Sequence, residues 1–503
     1  MQYPWWYVPH LTAPMLIAVI SVVHVLVSHY AVGGGLFLAV ETAHAHKTGD
    51  RPYLDYLRGH ARFFILLTVV FGAITGVGIW WTIGLTSPLA TETLIRTFVF
   101  GWATEWVFFV VEIVSAFIFL YYWDRLPTRT HTIVGWIYAI AAYISLVLIT
   151  GITAFMLNSG TWATRPGDDT FWMAFFNPQF LPQTVARTGG ALLLSSLYVY
   201  LHASFFARDE RLRNMIAARS ARPALLGAIL ITAGGIAWYC QLPPSAAATL
   251  QSAAVLNLLT ALIFALTIIV FFLIYVGPYR NPGWLSPGFA GSLCLFGIAA
   301  FSTGEFIRES IRKPFVVHNV VLGNQIAPTE VLTLKKSGFL QGGLWTRAFV
   351  KEHYPDVFSD RAIPPWHIVK MNPDTQRRDA AGPSPMAARN ALAAGIQNER
   401  LLALPYKDRL KLGNVLFLHH CNDCHAADIG YSAVGPLLQG RPRDQVLARV
   451  ERLDDNYFMP PWSGSHEEAI LITDYLMTIN PARPVGVRHF MKEQDQSREE
   501  DTE

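Results

Sequence analysis

The sequence predicts an all-α protein in two parts. A polytopic membrane bundle of about eight transmembrane helices, N-terminus outside, is followed by a small α-helical domain on that same outer side. Three observations predict this. Of the 503 residues, 52% are hydrophobic and only 15% charged, with 15 Trp and 31 Phe, which an ordinary water-soluble domain does not show. Up to residue 302 the apolar residues gather into runs of roughly 20, the length that crosses a bilayer, whereas residues 315–503 have mixed composition. Finally, the basic residues fall in every other loop.

The apolar runs place spans at about 14–42, 63–84, 98–122, 133–157, 186–207, 223–240, 251–277 and 285–307. Lys47, Arg51, Arg58 and Arg62 follow the first, Arg125 and Arg129 the third, and Arg208, Arg211, Arg213, Arg219 and Arg222 the fifth. The alternate loops hold Arg96, Arg165 and, in "QLPPSAAATL", no base. Lys and Arg stay preferentially on the cytoplasmic side, so the first loop is inside and the chain emerges outside after the eighth span. The opening "MQYPWWYVPHLTAP" has no basic segment and no small-residue cleavage site, so no removable signal peptide is expected. Its Trp and Tyr suit an interfacial belt. The implied location is a bacterial cytoplasmic (inner) membrane with a periplasmic C-terminal domain.

A net charge of +3 gives no reason to expect a nucleic-acid partner. Four divisions are expected: a transmembrane domain over 1–314, a connector over 315–400, a soluble helical domain over 401–484 and a polar, disordered tail over 485–503. Cys240 and Cys294 stand alone near membrane helices and read as packing residues. Cys421 and Cys424 belong to a motif.

In "GNVLFLHHCNDCHAA" the unit from Cys421 to His425 has the spacing for covalent haem attachment. Two thiols one helical turn apart reach the two vinyl groups, and the adjacent His425 takes one axial position. A bare motif of this form can instead bind zinc. Here Gly413 and Phe417 lie upstream at helical spacing, "VGPLLQG" follows, and "NYFMPPW" carries Met459 before a helix opened by a Ser465 and Glu468 capping box. Residues 401–484 resemble a class I cytochrome c, and that resemblance makes Met459 the second axial ligand. His/Met ligation leaves iron no open position and raises its potential, so such a domain carries electrons.

A titratable residue inside a span is a functional candidate by default. His24 and His29 lie on the first span, Glu105 and Glu112 on the third, and Glu309 and Arg312 close the eighth. The histidines are about 140° apart around a helix and cannot both face one iron squarely. Gly33, Gly34 and Gly35 would let another helix or a flat macrocycle approach. Glu105 and Glu112 share a face, which suggests a proton route or the neighbourhood of haem propionates; simple hydrogen bonding between helices is the alternative.

These residues occur in an order that resembles subunit I of the cytochrome bd quinol oxidases. "ATEWVFFVVEIVSAFIFLYYWDRL" is similar to that family's third helix, "AFMLNSG" to the end of its fourth, and "GEFIRESIRKPF" to its Gly-Arg-x-Pro-Trp segment. The resemblance implies His24 and Glu309 as haem-iron ligands, Arg312 as a propionate partner, and Glu105 and Glu112 as proton carriers. It implies one or two b-type haems, one of them open to modification to haem d, beside the single c haem, and a second membrane subunit. His29 is a further candidate for a second metal. The departures are equally specific. Where the family holds a low-spin haem between His and Met, this chain reads "LPQTVARTGGALLL", with Arg187, and "SAAVLNLLTAL", without Met; His202 is a substitute several turns deeper. The external quinol loop shrinks to "QLPPSAAATL", and the cytochrome-like domain replaces the ninth helix.

The expected function is respiratory electron transfer between the periplasmic c haem and high-spin b haem, with reduction of O2 at the latter. Soluble cytochrome c or a periplasmic dehydrogenase would be the donor. Nitric oxide reduction, and a non-oxidase electron conduit in a larger complex with quinone as a further partner, are the alternatives. A third is a membrane part that binds no haem and only anchors the cytochrome.

Overall fold

The structure, a computed structural model, describes residues 6–162, 171–357, 398–456 and 458–479. Arg165, residues 358–397 of the expected connector and the tail from 485 onward lie outside the described residues. Eight helices among the described residues are long and apolar enough to cross a membrane: Ala13–Thr48, Arg51–Thr86, Val99–Tyr121, Thr128–Phe155, Phe180–Phe206, Glu210–Cys240, Ala254–Tyr279 and Pro287–Ser310. They are called here the first to eighth spans.

Two spans start a dozen residues before the apolar run that marks them. The second is helical from Arg51, with the Asp50 side chain accepting the Tyr53 N–H at 3.1 Å. Its first four turns are amphipathic: Tyr53, Leu54, Tyr56, Leu57, His60 and Ala61 are buried while Arg51, Pro52 and Asp55 face out. Mean hydropathy does not register such a stripe, but periodicity does. The sixth is helical from Glu210, capped by Asp209 (Leu212 N–H to Oδ1, 2.7 Å), and runs through Pro223. A glutamate deep in the first span anchors these extensions. Glu41 accepts Arg219 Nε at 2.6 Å and Nη2 at 3.1 Å, and the Tyr53 hydroxyl at 2.9 Å. The planar guanidinium fork suits this two-point pairing.

The chain divides into two compact units, Ile17–Gly84 with Ala90–Val320, and Met1–Leu16 with Leu85–Leu89 and Val321–Glu503. In the first, small residues set the helix crossings. The three consecutive glycines serve three neighbours: a Cβ on Gly33 would lie 2.0 Å from the Ala191 carbonyl oxygen, on Gly34 2.9 Å from Phe64, and on Gly35 2.1 Å from Tyr138. They bring helices, not a macrocycle, against the first span.

In the second unit the helices Tyr406–His420 and His466–Thr478 cross where a Cβ on Gly413 would meet the Leu471 carbonyl oxygen at 2.3 Å. Phe417 packs on Tyr475, ring centroids 5.5 Å apart. The Ser465–Glu468 capping box forms as expected. Glu468 is fully buried and also accepts the backbone N–H groups of Phe339 at 2.7 Å and Leu340 at 2.8 Å, which ties residues 331–342 to this helix. Glu468→Ala therefore strips three buried N–H groups, with that of Ser465 (2.9 Å), of their acceptor. At about 1–3 kcal/mol each, the expected loss is at least ~3 kcal/mol, read as protease cleavage of this unit at a lower temperature. Glu468→Gln, which keeps one acceptor oxygen, should lose less.

Candidate functional site

One group of candidates gathers at the end of the eighth span. Glu305 accepts Arg308 Nε at 2.8 Å, and Glu309 pairs with Arg312, whose Nη1 also donates to the Val316 carbonyl at 2.6 Å. The order Glu305, Arg308, Glu309, Arg312 places each acid one turn before its base, the favourable spacing and orientation on a helix. Arg187 of the fifth span and His29 of the first lie within charge–charge reach of Glu305. Three arginines thus face two glutamates, so the cluster carries a surplus of positive charge beside Lys313. Glu305 and Arg308 are not among the candidate ligands read from the sequence, and Arg187 entered there only as a departure from the family's His. Their signal was present: acid and base at three-residue spacing closing an apolar run, and one Arg inside a span.

His24 is half-buried on the first span with Nδ1 3.1 Å from the Thr75 hydroxyl of the second. Gly76 leaves room for its ring; a Cβ there would lie 3.1 Å from Cε1. An imidazole oriented through one nitrogen presents the other, the arrangement that metal-bound histidines use. The site therefore fits a haem iron at His24 Nε2. His29 commits Nδ1 to the Val25 carbonyl (2.8 Å), and its ring meets Phe301 edge-on with centroids 5.2 Å apart. Among the described residues no group of three or more His, Cys, Asp or Glu is arranged to hold a bare metal ion.

Glu105 and Glu112 face the fourth span together. The Ser145 hydroxyl donates to Glu105 Oε1 at 3.1 Å, and Glu112 lies within reach of Glu105, Ser145 and Tyr138. Oε1 of Glu112 is buried with no hydrogen-bond partner among the described residues. A buried carboxylate oxygen without a partner is costly unless the group takes up a proton.

In the second unit Cys421 caps the helix Tyr406–His420, and the chain continues as one turn, with the Cys424 and His425 N–H groups donating to the Cys421 carbonyl at 3.0 and 2.9 Å. Burial pushes the Cys421 thiol up to about 12. His425 Nδ1 donates to the Ser432 carbonyl at 2.8 Å, which fixes the tautomer that offers Nε2 to a metal. Met459 is half-buried in the loop before the Ser465 cap, its N–H on the Asn456 carbonyl at 3.0 Å. Two thiols on one turn, an anchored imidazole and a thioether suit a covalently held haem. Beside them His420, sandwiched by Phe339 and Trp462 at 4.4 and 4.5 Å, is buried with neither ring nitrogen hydrogen-bonded among the described residues. Burial brings its pKa down to about 3.

With His24 and the paired glutamates in place on an eight-span bundle, the comparisons can be set beside the geometry. Residues 13–255 match the family model of cytochrome bd terminal oxidase subunit I. The match takes in His24, His29, Glu105, Glu112 and Arg187; the Glu305–Arg312 cluster and the Cys421–His425 motif lie beyond it. A chain of the bd oxidase from Geobacillus thermodenitrificans has a similar fold, with TM-score 0.53 at 17% identity over 61% of this chain and 89% of that one. No curated protein sequence matches this chain. The membrane part thus has a multi-span helical membrane fold similar to that of bd oxidase.

Proposed function

We propose that this protein passes electrons from a c haem in its C-terminal unit to high-spin b haem in a bd-oxidase-like bundle, where O2 is reduced. The observation that carries the reading is His24, anchored through Nδ1 by Thr75 and offering Nε2, in the same matched segment as the Glu105–Ser145–Glu112 group. The bound haems supply one-electron transfer and the iron at which an oxidant reacts. The chain's own residues do the rest. Cys421 and Cys424 hold the c haem, with His425 and Met459 as axial ligands. His24 and Glu309 are iron ligands for high-spin b haem, one protein ligand to each iron so that its other face stays open, and the arginine surplus at Arg187, Arg308 and Arg312 receives propionates by charge-assisted pairing. Glu105 and Glu112 take up and release the protons that oxygen reduction consumes, one per electron.

The orientation follows the basic loops, with the N-terminus and the c haem periplasmic and the donor a soluble cytochrome c or a periplasmic dehydrogenase. The short loop between the sixth and seventh spans, at Pro244–Ser252 a nine-residue helix, supports electron entry through the c haem instead of through quinol there. Purified protein supplied with reduced cytochrome c is expected to consume oxygen, and its reduced b haem to bind carbon monoxide. Absence of both would leave an electron conduit and remove the oxidase reading.

A further inference from the structure

A second polar chain starts where the second and fifth spans meet at their basic ends, and in it His202, the sequence's substitute haem ligand, contacts His60 instead. His60 is fully buried on the second span, with Nε2 3.1 Å from the Tyr30 hydroxyl and Nδ1 without a hydrogen-bond partner among the described residues. The ring of His202, on the fifth span, meets it edge-on at a centroid distance of 4.7 Å. Nδ1 of His202 is 3.2 Å from the Tyr56 hydroxyl, and Tyr56 stacks on His60 at 5.9 Å. His202 and Tyr56 also line a pocket of about 530 Å³, with Asp55, Arg62 and Arg208 around it. Arg62 and Arg208 belong to the basic loops, so in the proposed orientation the pocket opens at the cytoplasmic side. At the other end Tyr30 lies within electrostatic reach of Tyr138, with Phe64 between them at 5.3 and 5.5 Å, and Tyr138 lies within reach of Glu112.

We propose that His202 and His60 are the cytoplasmic entrance of a proton relay that runs through Tyr30 and Tyr138 to Glu112 and on to Glu105. It rests on the reading of Glu105 and Glu112 as proton carriers, and adds where their protons come from. Each passage moves one proton from pocket water to the Glu112 carboxylate. His202 takes it on the nitrogen that faces away from Tyr56 and passes it through a bridging water to the free Nδ1 of His60; the Tyr30 hydroxyl accepts from Nε2, and water carries the proton past the Phe64 ring to Tyr138. No carbon bond changes and no electron moves. Imidazole suits the entrance because one ring nitrogen accepts a proton while the other donates one, so a proton can pass through the ring. Two imidazoles at this separation hold one proton between them, since two like charges there repel. Leaving a buried nitrogen unbonded costs about as much as a lost hydrogen bond, a cost that a proton taken up at His60 Nδ1 would offset. Other titratable groups face the pair from each packed element: Tyr30 on the first span, Tyr53 and Tyr56 on the second, Tyr198 on the fifth.

The test uses the full-length holoprotein and a pH-indicator dye to time proton uptake when its haems are reduced by rapid mixing, with no oxygen present. His202→Ala should slow uptake by about tenfold or more with haem spectra unchanged, and millimolar imidazole, which the enlarged pocket can admit, should restore it. His202→Gln, which preserves the volume and cannot carry a proton, should be equally slow. Wild-type uptake in both variants, or slow uptake that imidazole does not restore in His202→Ala, overturns the relay. The readout needs no oxygen turnover. Failure of wild-type protein to consume oxygen therefore strikes the proposed function alone, whereas unchanged uptake in an oxygen-consuming protein strikes the relay alone.

Discussion

Glu309→Ala is expected to yield a protein with full c-type absorption and little high-spin b haem. The alanine removes the carboxylate proposed to ligate iron. It also leaves Arg312, whose side chain is 4% exposed, without its pair, and breaking a buried pair by removing one partner costs about 3–5 kcal/mol. These two effects must be separated, because either could empty the site. Glu309→Ala combined with Arg312→Met removes the stranded charge while keeping the bulk. If the double variant regains b haem, Glu309 acts only as the counter-ion of Arg312; if b haem stays absent while Arg312→Met alone retains it, the carboxylate itself is needed. A pyridine haemochrome assay with reduced-minus-oxidised spectra gives both haem contents. Unchanged b haem in the single variant would remove Glu309 from the ligand set.

Much of this arrangement was legible in the chain. Eight apolar runs and alternating basic loops gave the spans, because bilayer thickness fixes helix length. The Ser465–Glu468 box was readable because capping is local, with donor and acceptor three residues apart. What hydropathy hid were the helical extensions at Arg51 and Glu210, whose charged faces lower the mean while their other faces are buried. The His60–His202 contact was hidden for another reason. Nothing at position 60 or 202 says that the second and fifth spans meet there, and only packing brings residues so far apart in sequence to 4.7 Å. Arg187 lay between the two cases: conspicuous inside a span, but with partners, Glu305 and Arg308, that sequence alone does not assign.

Met459→Ala should lower the midpoint potential of the c haem on the order of 0.2 V, within the ~0.8 V over which axial ligands set haem potentials. Covalent attachment should persist, since Cys421 and Cys424 stand on their own turn and not on the Met459 loop. The direction does not depend on what replaces the thioether. Water, or an imidazole such as His420, with neither nitrogen hydrogen-bonded among the described residues, stabilises ferric iron relative to a Met sulfur, and so lowers the potential as well. At about 59 mV per tenfold change for one electron, such a shift moves the equilibrium with an external donor by roughly three orders of magnitude. Reduced cytochrome c, a high-potential donor, should then drive oxygen uptake poorly, while a low-potential artificial donor still should. An unchanged potential, or loss of the c-type band, would remove Met459 as ligand. Equal loss of uptake with both donors would instead place the defect beyond the c haem, on the path into the bundle.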